Sequence, residues 1–119
     1  MANFFKNAIA ENVSNNGSSP TSVLTCPSGN SSKCVIIGFQ LTNTGSSEIT
    51  ATVSITDSSA SNDIVLVNAV VIPNNTMLAV FQSDKIILEE SDIIKVHSNT
   101  ASACNAFISY LLTDSTWDI

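Results

Sequence analysis

The side chains best suited to act as nucleophile, base or metal ligand are few: three cysteines, one histidine and ten carboxylates in 119 residues. Zinc wants four ligands at close spacings such as C-x-x-C. His97 and Cys104 flank a predicted turn and come within reach of each other, but neither belongs to a ligand pattern, so His97 reads as a structural or solvated side chain. Cys34 and Cys104 sit inside apolar stretches and read as buried small hydrophobes. Cys26 and Cys34 flank a turn-like loop, Pro-Ser-Gly-Asn-Ser-Ser-Lys, across which a hairpin disulfide is geometrically open. An odd cysteine count without an export signal argues against a disulfide framework. Glu89, Glu90 and Asp92 cluster at another predicted turn. Paired carboxylates serve glycosidic or metal chemistry, but a solvated turn is the simpler reading, as it is for Asp57, Asp63 and Asp84 beside their strands. No EF-hand loop, P-loop, G-x-S-x-G or dinucleotide fingerprint is present, and four glycines give a phosphate cradle no raw material. The expectation is no enzyme, no catalytic residue, no cofactor and no metal.

Charge narrows the partners. The formal net charge is −6, with four lysines and no arginine. Nucleic acid and anionic membrane both demand clustered basic residues, and without arginine the bidentate clamp for phosphate or carboxylate is missing. The sequence shows no secretory h-region and no apolar run long enough to span a bilayer as a helix, so synthesis in a cytoplasm is expected. The N-x-S/T triplets at Asn12, Asn16, Asn30 and Asn74 arise by chance in so Ser/Asn-rich a chain.

The elements that must position these residues are strands. Only 12% of the chain is charged, and the polar remainder is mostly Ser, Thr and Asn, which suits the wet face of a sheet better than the exposed face of a helix. Period-two alternation recurs. In residues 48–57, Ile49, Ala51, Val53 and Ile55 take one face while Thr50, Thr52, Ser54 and Thr56 take the other. Residues 33–44 place Val35, Ile37, Phe39 and Leu41 on one face, with Cys34, Ile36, Gly38, Gln40 and Thr42 opposite, so this strand is buried on both sides at its start. Further strands are predicted over 21–26, 63–72, 76–82, 85–88, 92–98 and 103–112, the last aligning Ala106, Ile108, Tyr110 and Leu112. Residues 4–13 read as a strand or a short helix. Pro73-Asn74-Asn75 and Thr44-Gly45-Ser46-Ser47 are turn signals. About eight or nine short strands with turns at intervals of roughly 8–12 residues predict one antiparallel β-sandwich, jelly-roll or immunoglobulin-like.

One domain, 1–119, is expected, with an N-terminal arm over 1–19 and a C-terminal tail over 113–119. Large apolar groups on such ends are either tucked onto their own domain or inserted into a neighbour. Phe4, Phe5, Ile9, Trp117 and Ile119 are therefore the candidate partner-binding residues, with tryptophan a frequent binding anchor. The chief alternative to assembly is a carbohydrate-binding module, whose sugars would stack on Tyr110 or Trp117.

Four runs carry a resemblance: Val35–Ser54 (VIIGFQLTNTGSSEITATVS), Val67–Ile72 with Pro73, Asp84–Ser98 (DKIILEESDIIKVHS) and Ser102–Leu112 (SACNAFISYLL). Together, over roughly residues 20–112, they resemble a class of small tailed-bacteriophage virion proteins that read V-x-G-x-x-x-x-N, a hairpin, I-P, then K-x-x-L-E-x-x-D-x-I-x-V-x-S and a final strand. The glycine common in the L-E-x-G-D turn is Ser91 here. The resemblance implies an oligomeric virion subunit, with trimers common. Its role would be capsid decoration or cement, or else a neck or tail accessory, and its partners would be further copies of itself and the major capsid, neck or tail proteins.

Overall fold

The computed structural model describes residues 2–80 and 86–114, with side chains described for 3–80 and 86–113. Trp117 and Ile119 lie outside the described residues. Those described form nine strands and no helix: β1 (Ala2–Ala10), β2 (Thr21–Thr25), β3 (Lys33–Asn43), β4 (Ile49–Asp57), β5 (Asn62–Ile72), β6 (Met77–Ala79), β7 (Ile86–Leu88), β8 (Ile93–Ser98) and β9 (Cys104–Asp114). Residues 2–10 of the expected arm are thus a strand, paired with β9 over nine consecutive partners.

The strands make two antiparallel sheets, a β-sandwich. Sheet I runs β1-β9-β3 and ends in β6 and β7, which pair with successive stretches of β3; sheet II runs β2-β8-β4-β5. Taken as one interrupted edge strand, β6 and β7 leave eight strands in two four-stranded layers. The chain crosses between layers at every connection except the β4–β5 hairpin. That order is a jelly roll rather than an immunoglobulin-like sandwich, which settles the choice the sequence left open.

Alternation decides what faces inward. In β9, Cys104, Ala106, Ile108, Tyr110 and Leu112 are buried against Ile49, Ala51 and Val53 of β4 and Ile94 and Val96 of β8. In β3 the simple alternation fails. Ile36 pairs with Tyr110 but Gly38 pairs with Ser109, so Ile37 is an extra residue, a β-bulge. The expected face of Val35, Ile37, Phe39 and Leu41 is therefore split. Phe39 and Leu41 are buried alongside Cys34 and Ile36, while Ile37 stands 50% exposed on the outside.

Two buried polar side chains tie the layers and turns together. Asn43, at the end of β3, donates from Nδ2 to the carbonyls of Ser47 and Ile72, both at 2.9 Å, and accepts the Gly45 N–H at 2.8 Å. It thereby links sheet I to the last residue of β5 in sheet II and sets the turn that enters β4. Asp92 accepts the N–H groups of Ser58 at 3.0 Å and Glu89 at 2.9 Å, while its carbonyl accepts the Cys26 N–H. Ser91, beside it, holds φ 67°, a left-handed conformation that glycine adopts without steric cost. Replacing Asn43 with Ala strands two carbonyls and an N–H. We expect Asn43→Ala to lower stability by about 3 kcal/mol in urea unfolding, with the far-ultraviolet spectrum of the folded state unchanged.

Candidate functional site

Each layer has an outer face, and the two differ chemically. The outside of sheet II carries Thr50, Thr52, Ser54 and Thr56 from β4, with Lys95 and His97 from β8 beside them. The β4 part of this surface is the hydroxyl-lined, wet face that its alternation predicts; toward the edge, Val71 and Val65 of β5 stand exposed beside Thr50 and Ser54.

The outside of sheet I is apolar and uncharged across its middle. The register reads off the rows. Phe5 of β1 lies beside Leu111 of β9, then Val35 of β3, then Ile87 of β7. Farther along, Ile9 lies beside Phe107, Gln40 and Ala79. Ile37 and Gly38 fill the space between these rows with Asn7 and Ser109, and Met77 flanks Thr42 beyond. Phe5 is 81% exposed, Ile9 69%, Ile87 60% and Phe107 41%. Among the described residues no charged side chain falls within these rows. Lys33 sits at one rim, 3.8 Å from Glu89, and Glu11 at the other.

Phe107 is the centre of this surface. Three shallow depressions of about 220, 290 and 230 Å³ surround it, and all three have it in their walls. One lies between Phe5, Ile37 and Phe107; another lies between Phe107, Gly38, Gln40 and Met77. A Cβ on Gly38 would meet nothing within 4 Å, so this glycine leaves open ground beside the ring. Such a relief can seat the apolar side chains of a protein partner, with Asn7, Gln40, Thr42 and Ser109 able to hydrogen-bond around them. Contiguous exposed apolar ground of this kind marks an interaction surface.

Of the residues the sequence singled out, Phe5 and Ile9 belong to this face. Phe4, an odd number of residues from both, lies on the opposite side of β1 and is 43% exposed. The sequence reading missed Ile37, Ile87, Met77 and Phe107. Their signal was a second apolar set on strands whose first set already fills the core: Phe107 and Leu111 in β9 interrupt what would otherwise be a polar outer face.

The groups suited to chemistry are dispersed. His97 lies on the outside of sheet II, its ring against Gly17, whereas Cys104 is buried inside sheet I; the two do not form a pair. Asp92 is consumed by backbone N–H groups, and Glu90 accepts the Gly29 N–H at 2.9 Å, so the acidic turn is a brace between loops. Among the described residues no three His, Cys, Asp or Glu side chains are grouped to hold a metal ion. Tyr110 is buried and offers no stacking platform for a sugar. No protein-family model matches the chain, and no curated protein matches it.

Cys26 and Cys34 are neighbours across the sandwich. Cys26 Sγ lies 3.6 Å from the carbonyl of Leu88, and Leu88 is the strand partner of Cys34. Both thiols are free and fully buried. Burial pushes Cys34 up to about 12, with the Cys26 thiol adding to the effect, and pushes Cys104 up to about 11; burial also raises Cys26. Each thiol therefore stays protonated far above neutrality and is a poor nucleophile. The native protein should show no thiol reactive to Ellman's reagent near pH 8 on the minutes scale, and all three should react in denaturant. Fast labelling of any one in the folded protein would contradict this burial.

Proposed function

We propose that this chain is a non-enzymatic structural subunit of a tailed-bacteriophage virion, homo-oligomeric, seated on the capsid as a decoration or cement protein. The observation that carries the reading is the outer face of sheet I, an uncharged apolar surface on a chain of net charge −6. Like-charged copies of this chain repel at long range; a face cleared of carboxylates is where close contact costs least. Interface centres are characteristically depleted of charge and enriched in aromatic residues and methionine, as this face is with Phe5, Phe107 and Met77. The sequence resemblance supplies the kind of assembly, and the hydroxyl-rich outside of sheet II suits the side left facing solvent. Jelly rolls serve viral capsids, lectins and cupins alike, so the fold by itself favours none of these.

The test is binding to particles that lack the protein. Purified wild type should co-sediment with them at a copy number, read by mass spectrometry, comparable with that of the major capsid protein. Phe107→Lys should bind more than about tenfold more weakly, with thermal melt and circular dichroism close to wild type because the ring is already half in water. A few copies per particle would move the site to the neck or tail. Undiminished binding by Phe107→Lys, or absence of the protein from purified particles, would overturn the reading.

A further inference from the structure

A jelly roll has four edge strands, and a bare edge invites pairing with another chain unless it is shortened, kinked or charged. Three of the four edges here are blunted. β2 has five residues and a register break between Ser22 and Leu24. β5 breaks register twice against β4, and Ala69 within it holds φ 51° with its N–H taken by Thr52 Oγ1 at 3.0 Å. The remaining edge of sheet I is divided into the three-residue strands β6 and β7.

β1 is the exception. It pairs with β9 in unbroken register from Ala2 to Ala10, without a bulge, a proline or an acidic residue, and Lys6 is its one charge. Among the described residues no backbone group pairs with its other edge. Residues 3–7 are exposed on both faces, so Phe4 and Phe5 stand in water on opposite sides of the same strand.

We propose that β1 pairs edge to edge with β1 of a second copy, antiparallel, so that sheet I runs continuously through a two-fold dimer. The occupant follows from the strand's own pattern. A two-fold axis perpendicular to the sheet keeps outer faces on one side, so odd positions must meet odd and even meet even. Pairing centred on Asn7 sets Phe5 opposite the second copy's Ile9, Phe4 opposite its Ala10 and Lys6 opposite its Ala8. Large meets small or branched, and each lysine avoids the other. Centring on Lys6 would place two ammonium groups face to face, which disfavours that register. Centring on Phe5 would set the two Phe5 rings against each other and leave Ala10 without a partner in β1. In the Asn7 register the two outer faces of sheet I also join side by side, doubling the apolar surface around Phe107. The inference stands on the strand edge alone, and its test needs no particles, so it fails or survives independently of the virion reading.

The experiment is light scattering and hydrogen exchange on the full chain across the micromolar range. Wild type should be a dimer at the upper end, with amides in residues 3–9 protected there and exchanging faster on dilution, while β9 amides do not change. Phe4→Lys, on the side of β1 away from the apolar face, should shift the dimer to monomer by at least tenfold in concentration. Phe107→Lys, central in β9, should leave the dimer intact. A wild type monomeric throughout the range would overturn the proposal. So would concentration-independent exchange of β1, or a Phe4→Lys protein that dimerises like wild type.

Discussion

A strand gives each side chain only two directions, and the β3–β9 ladder at the centre of sheet I uses both. Its inward set, running from Cys34 to Leu41 and from Cys104 to Leu112, supplies nine of the twenty-one buried apolar core residues among those described. Its outward set, with Val35, Ile37, Phe107 and Leu111, is the candidate docking face. The two sets are kept apart by one extra residue. Were Ile37 paired like its neighbours instead of bulged, the alternation fixed by Cys34 and Ile36 would carry Phe39 and Leu41 out to solvent and bring Gly38 and Gln40 inside. Burying a glutamine without partners while exposing a phenylalanine and a leucine is costly on both counts. The bulge is therefore a requirement of this sequence, and it also lifts the Ile37 side chain into the hollow beside Phe107.

An interior this apolar has little with which to fix one sheet relative to the other, because apolar contact is indifferent to small slips. Asn43 and Asp92 supply direction. Each ties backbone groups from loops far apart in the chain, and each sits at an end of the sandwich where connections cross between layers. No buried side-chain nitrogen or oxygen is left without a partner among the described residues, so the polar ties add specificity without leaving a desolvated group unmet. The same accounting explains why the acidic turn cannot double as a reaction site: the Asp92 oxygens that a substrate or metal would need already hold Ser58 and Glu89.

Strand positions were legible because hydroxyl and apolar residues alternate cleanly in β4, because β8 and β9 each keep one largely apolar face, and because Pro73, Gly45 and the Asn-rich turns punctuate them. Layer order was not legible; it depends on which strands meet across the sandwich, and alternation says nothing about that. Nor was the bulge, since Ile36-Ile37 reads as two equivalent residues until β9 is laid alongside. For the candidate site, Phe5 and Ile9 were visible as large apolar groups near a chain end, on a segment that read as a strand or a short helix. Phe107 and Ile87 were hidden because a second apolar set on a strand reads equally as burial on both faces, and only the strand order shows that nothing in the chain's described part covers the outside of sheet I.

That uncovered face and the bare edge beside it have a common physical logic. A chain with ten carboxylates against four lysines resists nonspecific association through its own charge, and among the described residues no acid falls within the rows on the outside of sheet I. Hydroxyls line the outside of β4 in sheet II, while bulges and breaks blunt β2, β5 and the β6–β7 edge. The contrast within a single fold matters more than the apolar area itself. Exposed apolar residues occur on both layers, with Ile64, Val65, Leu66 and Val71 along β5 as well. What sets sheet I apart is geometry: β1 and β9 present Phe5, Ile9 and Phe107 together in unbroken register, beside an edge with no bulge, whereas the exposed residues of β5 lie on a strand whose register breaks twice.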